Sequence, residues 1–378
     1  MNPVPSVIFS EQLTPGGQRI ATALLNSERT LNALTLDMIR LLAERLTRWQ
    51  HDPDIALIVL AGSGDKAFCA GGDIRALRRQ LVEEPEPCPH PFATVYFTEE
   101  YALDYLIHAC TKPVLVWGDG IVMGGGLGLL AGASHRVVTE TTRMAMPEIN
   151  IGLYPDVGGS WFLNRMPGRI GLFLGLTGAP LNAADCRYVD LADYAIAREH
   201  QLAIMAQLAA TRWSEQPADN HVRLSELLAG FAARSVDIMP AGRLQAHFDR
   251  IQELTDAATL PALAARFATA RDDVDVWLRE AVRGFAAGCP ATAALTWEIR
   301  HRARHLLLAE VFRMELVLSV RCCSMGNFTE GVRARMVDKD NAPRWQPATL
   351  EDIRPDWLEQ HFTSPWAESP LAHLGESA

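Results

Sequence analysis

Two carboxylates that stand eight positions apart are the residues of this chain best suited to chemistry. Glu148 and Asp156 lie among glycines and apolar residues, shortly after the triple glycine at 124–126. A carboxylate in an apolar environment is costly unless it has a function or a partner. Together with the upstream pair Gly71 and Gly72, this stretch offers acid/base groups and main-chain donors that could act on an acyl carbonyl.

Both glycine segments follow a predicted strand and precede a predicted helix. Main-chain N–H groups at such a turn are unpaired, and glycine lets the backbone approach a ligand closely. Two facing turns could therefore donate to one oxyanion, although tight packing would explain either segment alone. A dinucleotide site at Gly126, Gly128 and Ala131 is disfavoured, because the segment lies well after the strand at 113–117 and no acidic residue closes the next strand.

Each acidic residue also has a structural alternative. Glu148 could cap a helix or lie on the surface, but Met146 and Ile149 make its segment apolar and predict a half-buried carboxylate. Asp156 could simply form a turn, because Pro-Asp before Val-Gly-Gly is good turn chemistry. For Asp73 we prefer the structural role, the N-cap of a helix over residues 74–81.

The elements that position these residues alternate between strands and helices. The apolar periodicity predicts a hairpin at 6–26, helices at 36–49, 92–110, from the triple glycine and at 158–166, and strands at 55–61, 113–117, 136–139 and 144–146. Such alternation indicates parallel pairing and an α/β fold. Residues 68–73 are interpreted as a loop, and the proline-rich segment 83–91 as a surface connector over the site.

The second half of the chain differs in composition. Alanine, leucine, arginine and glutamate dominate from about residue 199, and residues 200–325 are predicted to be nearly all helical. We therefore divide the chain into a core at 1–199 and a mostly helical C-terminal region at 200–378.

The bulk composition excludes several classes of protein. The chain has 378 residues, is 48% hydrophobic and carries a net charge of −10, which argues against nucleic acid or an anionic membrane as a partner. Its seven cysteines contain no C-x-x-C spacing and indicate a reducing cytoplasm. The first six residues lack the features of a targeting peptide, and no segment is predicted to span a membrane.

Several motifs, in order along the chain, resemble the enoyl-CoA hydratase/isomerase (crotonase) superfamily. They are Leu31-Asn32-Ala33-Leu34, Ala67-Phe68-Cys69-Ala70-Gly71-Gly72-Asp73-Ile74, the triple glycine and Met146-Pro147-Glu148. Other segments resemble its 3-hydroxyisobutyryl-CoA hydrolase branch, namely residues 72–75, 99–101, 152–159, 327–334 and 337–340. The likeness thus extends over nearly the whole chain.

This resemblance implies a fold and a set of site residues. The fold would be a crotonase-like spiral of β-β-α turns, followed by helices that cover an acyl pocket. The main-chain N–H groups of Gly72 and Gly125 would hold the thioester oxygen. The remaining implied contacts are Glu100, Glu148 and Asp156 at the acyl group, and Arg29, Arg75, Ala33, Ala70 and Gly71 along the CoA moiety.

The implied activity is hydrolysis of a short 3-hydroxyacyl-CoA thioester, with 3-hydroxyisobutyryl-CoA of valine breakdown as the expected substrate. Hydratases of the superfamily use a second glutamate at the position of Gly128, so hydration is disfavoured here. Enoyl-CoA isomerases, which need one glutamate, remain an alternative, as does a non-catalytic acyl-CoA binder. No metal and no cofactor are expected, because CoA is part of the substrate. A homo-oligomer is possible, because superfamily members are often trimer-based.

Overall fold

A computed structural model describes residues 5–376, so most of the N-terminal segment considered for targeting lies outside the described residues. The chain forms two compact units. Unit 1 comprises the residues up to Gly72, Leu103–Met144 and Leu181–Gln245, and unit 2 comprises Asp73–Ala102, Ala145–Pro180 and the residues from Ala246 onward. Each unit thus consists of three separate stretches, and the helices after residue 200 are divided between them.

The strands within residues 5–376 form two sheets. Their bounds are β1 Val7–Leu13, β2 Arg19–Leu25, β3 Ile55–Gly62, β4 Ala67–Cys69, β5 Val114–Gly118, β6 Ile121–Met123, β7 His135–Val138, β8 Arg143–Ala145 and β9 Tyr194–Ala195. The larger sheet has the order β1-β2-β3-β5-β7-β9, and the smaller one has the order β4-β6-β8. Only the β1–β2 pair of the larger sheet is antiparallel, as the predicted hairpin requires.

The helices connect and cover these strands. Those up to residue 188 are α1 Leu36–His51, α2 Ile74–Glu83, α3 Pro91–Ala109, α4 Gly125–Ala131, α5 Gly159–Phe162, α6 Ile170–Thr177 and α7 Ala183–Tyr188. The later ones are α8 Gln201–Ala210, α9 Pro217–Ala233, α10 Phe248–Thr255, α11 Leu260–Ala268, α12 Val276–Ala287, α13 Pro290–Arg302, α14 Leu308–Ser324, α15 Asn327–Val332 and α16 Pro355–Gln360. The predicted helical character of residues 200–325 is confirmed.

The order of elements confirms the predicted α/β architecture. A strand of the larger sheet is followed by one of the smaller sheet in the pairs β3–β4, β5–β6 and β7–β8, and a helix follows the first two pairs. The interpretation of residues 68–73 as a loop was partly wrong, because β4 ends at Cys69, and β6 was missed. Both strands have three residues, which is too short for a periodic pattern, and only pairing with a neighbour defines them.

Each unit has an apolar core of its own. In unit 1, Leu57 and Val59 of the continuously buried β3 pack in one cluster with Leu208 of α8 and Leu224 of α9. In unit 2, every residue of α6 is buried, and α6 contacts α10, α12 and α13. A helix that is apolar on all sides is stable only inside such a bundle. No helix in the described part of the chain combines the length and the apolar character that a membrane span requires.

Candidate active site

The two glycine turns lie side by side within unit 1. After β4, the Ala70 N–H donates to the Leu31 carbonyl at 3.0 Å, and Gly71 adopts a φ of +105°. A Cβ atom on Gly71 would lie 3.3 Å from the Met123 carbonyl oxygen and 3.7 Å from the Gly125 nitrogen. The close approach of these turns therefore depends on glycine, as their sequence predicted.

The main-chain N–H groups of Gly72 and Gly125 are available for a ligand. Gly125 is the first residue of α4, where the helix offers its N–H no partner. The hydrogen bonds within residues 5–376 include none donated by the Gly72 or Gly125 N–H. That both groups bind the same thioester oxygen stays a prediction, on which the proposed function below depends.

A buried asparagine holds the segment that precedes the first glycine turn. Asn32 donates to the carbonyl oxygens of Ala67 and Ser63 at 2.9 and 3.0 Å, and its φ of 57° is unusual for a residue other than glycine. This bond ties the segment with Ala33 to β4, the strand that leads to Ala70. From the sequence, Asn32 was recognised only as part of a family motif, and its positioning role was not predicted.

The two arginines expected along the CoA moiety have exposed side chains. Arg29 lies in a short 3₁₀ helix, Glu28–Thr30, of unit 1, and Arg75 lies in the first turn of α2 in unit 2. Asp73 caps α2, because its carboxylate accepts a hydrogen bond from the Ala76 N–H at 3.1 Å. The structural role preferred for Asp73 is thus confirmed.

Unit 2 contains a cluster of buried acids. Glu100, Glu148 and Asp156 are 3%, 5% and 4% exposed, and a fourth acid, Glu315 of α14, is fully buried. The prediction of a half-buried Glu148 was therefore wrong, because the apolar residues Met146 and Ile149 of its segment are buried together with it. Glu100 does not belong to the solvated face of its helix.

Burial raises the pKa values of all four acids, and repulsion by Asp156 adds to it at Glu100, Glu148 and Glu315. The pKa of Glu100 and that of Glu148 rise well above the usual range, first through desolvation and then through repulsion by Asp156. Desolvation raises the pKa of Asp156 to about 6 and that of Glu315 to about 8. Within residues 5–376, Glu148 Oε2 and Glu100 Oε1 have no hydrogen-bond partner. Asp156 and Glu315 can therefore take up and release protons near neutral pH.

A chain of hydroxyl groups leads away from Asp156. The Tyr101 hydroxyl donates to Asp156 Oδ2 at 2.6 Å and lies 2.6 Å from Ser319 Oγ. Ser319 Oγ in turn lies 2.9 Å from the Tyr154 hydroxyl, which donates to the main-chain carbonyl of Glu315 at 2.7 Å. The turn at Asp156 is closed by main-chain atoms instead, with the Gly159 N–H donating to the Asp156 carbonyl at 2.7 Å. The Asp156 carboxylate is thus not needed to form the turn.

Glu315 holds the backbone that follows Asp156. Its two carboxylate oxygens accept hydrogen bonds from the N–H groups of Gly158 and Ser160 at 2.7 and 2.9 Å. Val157 and Gly158 both have positive φ values, 52° and 84°. The glycine in this motif therefore meets a backbone requirement, and Glu315 stabilises the resulting conformation.

Sequence analysis did not single out Glu315 and Ser319, although a signal was present. The two residues are four positions apart on α14, on the side of the helix that also carries Phe312, Leu316 and Cys323. A carboxylate and a hydroxyl four apart within an apolar helical stripe face the interior, where both need partners. Tyr101 and Tyr154 lie within the motifs at 99–101 and 152–159, but the sequence predicted no role for either hydroxyl.

This arrangement belongs to a recognisable class of enzyme. The sequence model of the family described as "Enoyl-CoA hydratase/isomerase" matches residues 20–362. The chain therefore belongs to the enoyl-CoA hydratase/isomerase family, and its α/β fold is the crotonase fold. The family resemblance found in the sequence motifs is confirmed.

Curated relatives narrow this class further. The protein named "3-hydroxyisobutyryl-CoA hydrolase, mitochondrial" from Homo sapiens is 36% identical over 341 residues, which cover 90% of this chain and 85% of the relative. Its namesake from Danio rerio is 35% identical and covers 90% of this chain and 86% of its own length. The resemblance to this branch is thus confirmed over most of the chain.

Two solved structures are similar over nearly their full length. A carnitinyl-CoA dehydratase from Mycobacterium thermoresistibile has a TM-score of 0.85 at 31% identity, and covers 99% of this chain and 100% of its own. An enoyl-CoA hydratase from Rhodobacter sphaeroides 2.4.1 has a TM-score of 0.80 at 31% identity, with coverage of 96% and 98%.

Proposed function

We propose that this protein hydrolyses the CoA thioester of a short 3-hydroxy acid, with 3-hydroxyisobutyryl-CoA as the substrate and 3-hydroxyisobutyrate and CoA as the products. The observation that carries the proposal is the 36% identity over 90% of the chain to a protein with this activity in its name. The buried acids of unit 2 and the two available N–H groups of unit 1 support it. A role in valine breakdown would follow from this substrate.

The proposed mechanism assigns separate tasks to the glycine turns and to Glu148. The N–H groups of Gly72 and Gly125 bind the thioester oxygen and stabilise the anion that forms on attack; one such donor is commonly worth roughly 10²–10³ in rate. Glu148 acts on the carbon of the same carbonyl. Its carboxylate either displaces CoA to form a mixed anhydride, which water then opens, or takes a proton from the attacking water.

The remaining site residues bind and orient the substrate. Asp156 orients the substrate hydroxyl or the water and influences the charge of Glu148, whose pKa it raises by repulsion. Glu100 contacts the 3-hydroxyl group. Along the CoA moiety we place Arg29, Arg75, Ala33, Ala70 and Gly71. The reaction as written needs no metal and no further cofactor.

A panel of acyl-CoA esters tests this function directly. Free thiol should appear with 3-hydroxyisobutyryl-CoA at a rate well above that with the matching enoyl-CoA. The Glu148→Gln variant should bind the ester with nearly unchanged affinity in calorimetry and lose turnover by at least about 10²-fold, because the amide is neither a nucleophile nor a base. Substantial thiol release by Glu148→Gln would contradict the role of Glu148.

The Asp156→Asn variant tests whether Asp156, eight positions after Glu148, takes part in the reaction. Asparagine keeps the size of the side chain but cannot ionise, so we expect a fall in kcat and a loss of the pH dependence that Asp156 contributes. Normal hydrolysis by this variant, with an unchanged pH profile, would make the pair a structural feature.

An enoyl-CoA hydratase or isomerase activity is the second candidate, because one similar solved structure is named a hydratase and the other a dehydratase. Gly128, a buried residue of α4 that cannot transfer a proton, argues against hydration but not against isomerisation, which needs only one glutamate. Loss of enoyl-CoA absorbance without thiol release would favour this candidate. Binding of acyl-CoA esters with neither change would indicate a non-catalytic binder.

We also propose that the protein works in the cytoplasm. All seven cysteines are free thiols, which supports a reducing compartment. The names of the curated relatives place those proteins in the mitochondrion. Cell fractionation followed by immunodetection distinguishes the two locations, and size-exclusion chromatography with light scattering tests the possible homo-oligomer.

A further inference from the structure

The hydroxyl chain at Asp156 contains one hydrogen fewer than its contacts require when Asp156 is ionised. The chain has four contacts, Asp156–Tyr101, Tyr101–Ser319, Ser319–Tyr154 and Tyr154 to the Glu315 carbonyl. Tyr101, Ser319 and Tyr154 supply one hydrogen each, and a main-chain carbonyl can only accept. One of the four contacts is then without a hydrogen.

A proton on Asp156 Oδ2 removes this deficit. The carboxyl then donates to Tyr101, Tyr101 to Ser319, Ser319 to Tyr154, and Tyr154 to the Glu315 carbonyl. Every contact contains one hydrogen, and all hydroxyls point away from Asp156. In the ionised state, by contrast, Tyr101 donates to Asp156. The hydroxyl of Tyr101 therefore turns when the proton binds at Oδ2. A proton on Oδ1 instead would leave Tyr101 donating to Oδ2, and one contact of the chain would still be without a hydrogen.

Ser319 is the residue that permits this turn. Its Oγ atom is the only hydrogen-bond acceptor that residues 5–376 offer the Tyr101 hydroxyl apart from Asp156. Both Tyr101 and Ser319 are fully buried, so water does not replace a missing partner. A buried hydroxyl donor without an acceptor loses its hydration without compensation, which disfavours the state in which it occurs.

We propose that Ser319 is a positioning residue, whose hydroxyl accepts the Tyr101 hydrogen when Asp156 takes up a proton on Oδ2, so that Asp156 can exchange protons inside the buried site. Tyr154 extends this role by accepting the Ser319 hydrogen. The use of the exchanged proton in turnover rests on the proposed function, but the hydrogen-bond chain itself does not.

Among residues 5–376, the titratable groups whose pKa values respond to Asp156 are acids, phenols and thiols. They are Glu100 and Tyr101 on α3, Glu148, Tyr154, and Glu315, Cys322 and Cys323 on α14. These groups are the same in the wild type and in a Ser319 variant. A comparison of the two proteins therefore isolates the contribution of Ser319.

Replacement of Ser319 tests the proposal, because the two roles that its hydroxyl could have predict opposite shifts. In Ser319→Ala, an Asp156 protonated on Oδ2 leaves the Tyr101 hydroxyl without an acceptor, so the pKa of Asp156 should fall from about 6 by about one pH unit. If Ser319 only strengthened the bond from Tyr101 to the carboxylate, the pKa would rise. A rise or an unchanged value overturns the proposal.

Ser324→Ala is the matched control. Its hydroxyl also lies on α14 and bonds to the main-chain carbonyl of Val320 at 2.8 Å, away from the chain. This variant should leave the Asp156 titration unchanged. Tyr154→Phe should lower the pKa of Asp156 by a smaller amount than Ser319→Ala does. If Ser319→Ala does not fold, Tyr154→Phe serves as the test variant in its place. No downward shift in Tyr154→Phe would then overturn the proposal.

The titration is followed by carbon NMR on protein labelled at the aspartate carboxyl groups, with the Asp156 signal assigned by its loss in Asp156→Asn. This measurement uses the free protein, so its outcome does not depend on which reaction is catalysed. The pH profile of kcat for thiol release should shift in the same direction. If the Asp156 titration shifts in Ser319→Ala but the wild type releases no thiol, the proposed hydrolase activity is wrong and the role of Ser319 is still supported.

Discussion

Glu315 shows how one buried acid can stabilise a fold and make it sensitive to pH. Its carboxylate holds the Gly158 and Ser160 N–H groups, yet desolvation raises its pKa to about 8 from 4.5. The folded protein therefore holds the proton of Glu315 more tightly than the unfolded chain does. The resulting stability is fully present below about pH 4.5 and is lost as the pH rises towards 8.

The Glu315→Gln variant tests this linkage. Glutamine does not ionise, so the free energy of unfolding of the wild type should fall relative to that of the variant between about pH 5 and pH 8, by an amount on the order of a few kcal/mol. The glutamine side chain can accept hydrogen bonds with only one atom, whereas Glu315 accepts with two, so the variant should be less stable than the wild type at pH 5. Urea unfolding at several pH values measures both effects. Parallel curves for the two proteins would show that Glu315 does not titrate in this range.

At the scale of elements, glycines let backbone segments pack directly against each other. In unit 1, a Cβ atom on Gly126 of α4 would lie 2.4 Å from the Cys69 carbonyl oxygen at the end of β4. In unit 2, a Cβ on Gly331 of α15 would lie 2.4 Å from the carbonyl carbon of Ile151. The motif at 327–334 thus packs against the segment between Glu148 and Asp156. This contact explains why a motif so distant in sequence accompanies the acidic residues of the site.

The Gly126→Ala variant should separate α4 from β4. Because the new methyl group meets backbone and not a flexible side chain, we expect a loss of about 2–4 kcal/mol in unfolding free energy and a loss of thiol-release activity through displacement of the Gly125 N–H. Gly230→Ala at an exposed position of α9 is the control, since nothing lies within 4 Å of its added Cβ. It should be neutral or stabilise by up to about 1 kcal/mol. A stable and active Gly126→Ala protein would show that β4 and α4 tolerate a wider separation.

At the scale of the whole molecule, the fold does not depend on covalent cross-links. The seven cysteines are free, and five of them are buried. Reductant should leave the unfolding free energy unchanged, and all seven thiols should react with Ellman's reagent in denaturant without prior reduction. The half-exposed Cys88 and Cys110 should react first in the native protein. Fewer than seven reactive thiols in the denatured chain would reveal a cross-link.

Much of this protein could be predicted from sequence, because its larger elements have strong local signals. The hairpin β1–β2, the buried strand β3 and helices α1 and α3 follow from apolar periodicity together with turn residues at their ends. The glycine turns and the pair of acids at 148 and 156 stand out by residue type and spacing. The short strands β4 and β6 were not identified, because three residues carry no period and depend on pairing.

The sequence by itself determined the α/β class, the positions of the glycine turns and the family. Tertiary structure alone decided which acids are buried and what surrounds them. Glu100 looks like a solvated helix residue, and Glu315 and Ser319 look like exceptions on an apolar helix, until packing brings α3 and α14 against the Asp156 segment. The physical reason is that a pKa depends on desolvation and on neighbours distant in sequence, whereas turns and periodic elements depend mainly on adjacent residues.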